Sequence, residues 1–234
     1  MTVTETTRSA GRPLAHPDRD TRALLLTAAT ELFAEHGIAA TTFSTIARRA
    51  GLTPAMVHYH FDDRNQLIDA VVDERLVPLI NYVWEPVLPG GDPAEMLTGV
   101  VHRLLQQIAK APWVPSTWMR EILNEGGLLR GRVLRRLPLE KVRLVGQAIT
   151  QGQQSGAVNS DLDPLLVVFS ALGLVMLHMA TVRIWADIFR RRPLGKQTIA
   201  RHITGLLLRG LSPPNASAPR RKPSLRPLSP RRKP

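Results

Sequence analysis

The chain has 234 residues, 44% hydrophobic and 5% aromatic, with a formal net charge of +12 and no cysteine. This is room for one helical body and a small head domain; the aromatic content does not suggest a β-sandwich, and disulfides and thiolate metal sites are excluded, which fits a reducing cytoplasm. The charge alone does not identify a nucleic-acid binder, because residues 1–64 hold seven Arg against seven Asp or Glu, whereas 212–234 hold seven Lys or Arg and no acid.

Residues 1–17 lack the apolar segment of a signal peptide and read as a disordered arm. From about Arg19 to His36, Leu25, Ala28, Ala29, Leu32 and Phe33 recur at the spacing of an amphipathic helix, and Gly37 is its stop. The stretch TFSTIARRAGLTPAMVHYHF, 42–61, reads as a helix-turn-helix. Ala47 is small enough for two helices to approach, Gly51 can take the positive φ of the turn, and Val57 faces back toward Ile46 and Phe61. Thr53-Pro54 marks the second helix, with a capping hydroxyl followed by proline. That helix ends near Phe61, a length suited to a major groove.

Further on, 64–84 reads as one helix that Pro78 either bends or ends early, with Pro86 closing the stretch. Asp92-Pro93 starts a helix to about Lys110, and a short element covers 115–124. Gly126-Gly127 precedes a helical stretch to Gln154, interrupted near Pro138. A long apolar helix spans 163–190, closed by Arg190-Arg191-Arg192-Pro193, and a last helix spans 195–210, ended by Gly210. No β-alternation is sustained, so an all-α fold is expected. Residues 164–182 carry no formal charge and approach bilayer length. Ser170, His178, Thr181 and the Asp163-Pro164 cap favour instead a helix buried between two subunits, and no membrane association is expected. The Pro- and Arg-rich stretch 212–234 reads as disordered, either a cationic tether to DNA or a solubilising tail.

The helix-turn-helix and its flanks, GIAATTFSTIARRAG, LTPAMVHYHF and DDRNQLIDAVV, resemble the DNA-binding domain of the TetR family of one-component regulators over roughly residues 18–72. The approach GQQSGAVNSDLDP, 152–164, resembles the lead into that family's first interface helix. Two positions depart from the family pattern: His58 replaces a usual tyrosine and Asp62 a frequent lysine, so no operator sequence carries over.

The resemblance implies a head at 18–63 and a ligand-binding and dimerisation body at 64–211. It implies a homodimeric repressor released from an inverted-repeat operator by a small-molecule effector, with double-stranded DNA, a second copy and that unknown effector as partners. An alternative keeps the DNA-binding head but gives the body a protein partner or an architectural role. Carried over, Thr42, Tyr59 and His60 would contact phosphate, and Arg64 would reach the DNA backbone. Thr53 joins the DNA-facing set, and Ser44, Thr45, Ala55, Met56 and His58 would lie toward base edges, with Met56 alternatively in the head's core. Ala55 and Met56 can read only thymine methyls or shape, so part of the specificity should be indirect.

In the family the effector pocket lies among helices four to seven, where Tyr82, Trp84, Trp113, Trp118 and Met119 fall; core packing is the competing role for each. His102 and His178 are either core histidines bonded to carbonyls or polar anchors in a cavity. The run Arg130, Arg132, Arg135, Arg136, Lys141 and Arg143 is either a solvated face or a guide for an anion. As in the family, the helices 163–190 and 195–210 would pair with their copies in a four-helix bundle, through Leu165, Phe169, Leu172, Val175, Met176, Met179 and Trp185. His58 and His60 stand two apart with no carboxylate beside them, so no metal is expected; neither is a cofactor. No nucleophile elbow or phosphate-binding glycine loop is present, and the chain is not expected to be an enzyme.

Overall fold

The computed structural model describes residues 17–214, whose regular elements are all helices, with no strand among them. The basic tail beyond Pro214 therefore lies outside the described residues, as does the N-terminal arm apart from Pro17, which opens the first helix.

That helix, α1 (Pro17–His36), buries Leu25, Leu26, Ala28, Ala29, Leu32 and Phe33 and stops where Gly37 turns left-handed at φ +82°. Helix α2 (Phe43–Ala50) is started by a reciprocal cap: the Thr42 hydroxyl accepts from Thr45 N–H at 3.2 Å and the Thr45 hydroxyl accepts from Thr42 N–H at 3.0 Å. Gly51 ends it at φ +69°, and Leu52 N–H bonds to Ala47 C=O at 2.9 Å, which fixes the tight turn into α3 (Pro54–His60). A Thr42→Ala variant should lose about 0.5–2 kcal/mol of stability through this cap, read as a lower midpoint in urea.

Asp63 caps α4 (Arg64–Val71), accepting from Gln66 N–H at 2.8 Å. The rod continues through a π-helical stretch (Val72–Leu76) into α5 (Val77–Trp84). Pro78 thus neither ends the rod nor interrupts it at its own position. It has no N–H for Glu74 C=O and its ring crowds that carbonyl, so the turn before it widens and Val77 N–H bonds five residues back to Val72 C=O. The body adds α6 (Pro93–Lys110), α7 (Val114–Thr117) running into a second π-helical turn (Trp118–Ile122), and α8 (Arg130–Leu134). Helices α9 (Leu139–Gln154), α10 (Pro164–Ile188) and α11 (Lys196–Leu211) complete it. Helix α11 runs through Gly210, one residue past the expected stop, and ends at Ser212.

Helix α6 is the axis of the body, packed against α5, α9, α10 and α11, with Leu97, Val100, Val101, Leu104 and Ile108 buried. One hydrophobic cluster runs without a break from Leu25 to Leu211, so head and body share a core. Polar ties reinforce the junction. Arg22 of α1 holds Glu74 at 2.6 Å, Arg75 donates to Ala23 C=O at 3.0 Å, and Arg132 and Arg136 of α8 and its end hold Asp69 and Asp73 at 2.6 and 2.5 Å. Those two arginines therefore neither form a purely solvated face nor stand open to an anion: they fasten α8 to the rod.

Candidate DNA-binding surface

Helix α3 presents one face to solvent because Val57 and the following Phe61 are withdrawn into the head, against a core that includes Ile46 and Leu25. Ala55, His58 and Tyr59 lie outward, and Tyr59 is 70% exposed. The His58 ring meets Phe43 edge-on at 5.1 Å, so it stands on the surface with a fixed lean toward α2. Met56 is half-buried, between the two roles open to it. His60 is half-buried beside Tyr59, with Nε2 shielded from solvent, which turns it away from the exposed face. Its carbonyl accepts from Arg22 at 3.3 Å, and the Arg22 guanidinium lies 4.6 Å from the Phe61 ring, so the end of α3 is anchored to α1.

Three expectations change at this surface. The Thr53 hydroxyl makes no cap, because Met56 N–H is already taken by Thr53 C=O at 3.0 Å; that hydroxyl stays outward. The Thr45 hydroxyl is committed to the α2 cap, donating to Thr42 C=O at 2.7 Å, while Thr42 and Ser44 are not withdrawn into the core. Arg64 turns back and donates to Ile38 C=O, clamping the loop after α1 rather than reaching outward. Sequence reasoning missed this because it placed the arginine by family position, not by the nearest free carbonyl.

Of the neighbouring cations, Arg49 is held by Glu35 at 2.7 Å and Glu31 at 3.3 Å. The Arg49 hydrogen bond holds the Glu35 carboxyl below the usual range, and Glu35 in turn pushes the Arg49 guanidinium further up. Arg48 makes no ion pair among the described residues and lines a shallow cleft of about 420 Å³ with His36, Thr41 and Thr45, at the edge of α2. Hydroxyls, helix termini and this arginine suit phosphate oxygens, and His58 suits a base edge.

Residues 25–71 match the family model of "bacterial regulatory proteins, tetR family". The HTH-type transcriptional regulator TtgW of Pseudomonas putida, itself uncharacterized, is 35% identical over 132 residues, 53% of this chain and 90% of TtgW. The chain belongs to the TetR family. The HTH-type transcriptional repressor KstR2 of Rhodococcus jostii is 26% identical over 197 residues, 83% of this chain and 92% of KstR2. The solved ketosteroid regulator KstR2 of Mycobacterium tuberculosis shares the fold at a TM-score of 0.65 and 21% identity, covering 88% of this chain and 99% of that one. This TetR-family chain is a DNA-binding transcriptional regulator and, like those relatives, not an enzyme.

In this TetR-family body the residues expected at an effector pocket do not meet in one place. Trp84 is 4% exposed and belongs to the core; Trp118 is half-buried against the core and Met119 is exposed. Tyr82 and Trp113 alone share a cleft, about 500 Å³, between α1, α5 and the end of α6. The Tyr82 hydroxyl donates to Gln106 at 3.0 Å and Lys110 lies 5.8 Å from its ring. Thr30, Glu31, Arg75 and Gln107 also line this cleft; they are polar residues of three separate elements, and no spacing within any one element brings them together. His102 is exposed in a separate groove between α6 and α11. His178, half-buried, bonds through Nδ1 to Leu174 C=O at 2.6 Å and also lines a cleft of about 550 Å³ with Trp185 and Phe189, so both of its expected roles stay open.

The α10 surface also divides. Leu165, Phe169 and Trp185 point outward, Leu172 and Met179 are half-buried, and Val175 and Met176 lie inside their own subunit's core. The outward row adds Leu166, Leu177, Ile184 and Ile188, which sequence reasoning passed over. Although α10 is long and apolar enough to cross a bilayer, it packs against α6, α7, α9 and α11.

Proposed function

We propose that the chain acts as a homodimeric repressor in the cytoplasm, with heads at 18–63 docking on an inverted repeat and bodies at 64–211 joined through α10 and α11. The carrying observation is the outward face of α3, polar and aromatic, backed by a frame that Arg22 and Phe61 hold rigid. Thr42, Thr53 and Tyr59 serve the phosphates, and Ser44, Ala55, Met56 and His58 face base edges. The repressor role is the one named for the Rhodococcus relative. The effector is assigned to the cleft that holds Tyr82 and Trp113, because its walls come from both the head's α1 and the body's α5 and α6. A molecule there presses the two apart, and recognition helices that must sit about one DNA turn apart, ~34 Å, lose their register. It shifts the equilibrium only by its differential affinity for the two arrangements.

The test begins by selecting duplexes from a random pool with the purified protein. Tyr59→Ala should weaken every duplex alike by about 1 kcal/mol, whereas His58→Ala should erode preference among duplexes. Wild-type protein that enriches no sequence at physiological salt contradicts the reading. Compounds that stabilise the protein thermally should lower affinity for the selected duplex, by roughly 5–150-fold, and the effect should vanish in Trp113→Ala.

A further inference from the structure

Glu121, 7% exposed in the π-helical turn Trp118–Ile122, is a buried acid of the body that touches neither the outward face of α3 nor the Trp113 cleft. Burial of a carboxylate is tolerated where donors match its oxygens. Here both donors are backbone: Oε1 accepts from Ile38 N–H at 2.9 Å and Oε2 from Leu128 N–H at 3.2 Å. Leu128 belongs to the body, but Ile38 belongs to the head, in the loop that leads from α1 to the Thr42 cap. The preceding side chain grips the same place, since Arg120 donates to Glu35 C=O at the end of α1, at 3.2 Å. Between the two contacts lies Gly37, where a Cβ would stand 3.2 Å from Arg120 Cδ and 3.3 Å from Glu121 Oε1. The body thus rests directly on head backbone, and Arg64 closes the other side of Ile38 through its carbonyl.

We propose that Glu121 is a positioning residue for operator binding: its bond to Ile38 sets the angle at which each body carries its head. The proposal rests on the dimeric DNA-binding reading above. The same segment, α7 and its π-helical turn, begins next to Trp113 of the interhelical cleft. Displacement at that cleft therefore reaches Ile38 by a route separate from the α4–α5 rod.

Three readouts test this on the full-length protein. Glu121→Ala should lower affinity for the selected inverted repeat on the order of 10–100-fold by loosening the paired geometry. Affinity for the same duplex with one arm scrambled should stay within about twofold, because each head keeps its own contacts. Glu121→Gln should recover part of the loss, as its carbonyl still accepts from Ile38 while its amide cannot accept from Leu128. In hydrogen exchange, the Ile38 amide should open at least about tenfold faster in the alanine variant with α10 protection unchanged. Equal losses on intact and scrambled duplexes would reduce Glu121 to a prop for head folding and overturn the proposal. Unaltered Ile38 exchange would overturn it as well. If wild type selects no duplex, the DNA-binding reading falls, and Ile38 exchange alone decides whether Glu121 ties head to body.

Discussion

Phe169→Arg is expected to sediment as a monomer at micromolar concentration while its thermal melt shows an intact subunit. Phe169 is 58% exposed within one subunit and stands in the outward row with Leu166, Leu177, Ile184 and Ile188. In a subunit alone the arginine reaches water, so the change should cost within about 0.5 kcal/mol of subunit stability. In a two-fold bundle the same arginine occurs twice in an apolar seam, and each unpaired buried charge costs several kcal/mol. That suffices to move a micromolar or tighter dimer out of its concentration range. DNA affinity for an inverted repeat should fall with it, because two separate heads no longer arrive as one unit. Leu172 is the poorer probe, since it is half-buried against its own core and a charge there would unfold as well as dissociate. A Phe169→Arg protein that remains dimeric would remove α10 from the interface.

Phe61→Ala should abolish DNA binding by melting the head before the body. The ring is fully buried, closes the angle between α2 and α3 and lies under the Arg22 guanidinium at 4.6 Å. Truncating such a phenylalanine costs about 3–5 kcal/mol, a large share of the roughly 5–15 kcal/mol that holds a domain folded. None of the four tryptophans lies in the head. Trp113 borders α1 across its cleft, so the test is made in a Trp113→Phe background, where Trp84, Trp118 and Trp185 report the body transition. Far-UV circular dichroism should lose amplitude at a lower temperature than tryptophan fluorescence shifts. Because the core is continuous from head to body, a smaller shift of the body transition should follow. Coincident transitions at the wild-type midpoint would contradict the packing described for Phe61.

The head was legible in the sequence because its contacts are local. Gly51 and Val57 were legible from their spacing, which specifies the turn and the inward face, whereas the capping hydroxyl expected at Thr53 makes no cap and the one that does form, at Thr42, was not read. Helix starts at Asp92-Pro93 and Asp163-Pro164 were legible for the same reason, since a carboxylate can only cap the N–H groups that follow it. Arg64 was not legible, because its acceptor, Ile38 C=O, is 26 residues away and is left for it only by the way the loop folds. The π-helical turns were hidden as well: Pro78 forecasts a disturbance, but whether the rod bends, stops or widens depends on what α1 and α8 hold on either side.

Helix α10 marks the boundary most clearly. Its apolar residues announce a helix that must be covered nearly all round, yet a helix apolar on every side has no phase from which to read its inner face. Only packing against α6, α9 and α11 turned Val175 and Met176 inward and left Leu177 and Ile184 exposed. Likewise the aromatic residues of the body announced bulk, and tertiary contacts decided that Trp84 fills the core while Tyr82 and Trp113 wall a cleft. The sequence by itself determined the helices, the Asp92 and Asp163 caps and the helix-turn-helix, because those follow from interactions over a few residues. The tertiary structure decided which side of each helix faces core, cleft or solvent, because that depends on the competition of distant segments for the same buried area.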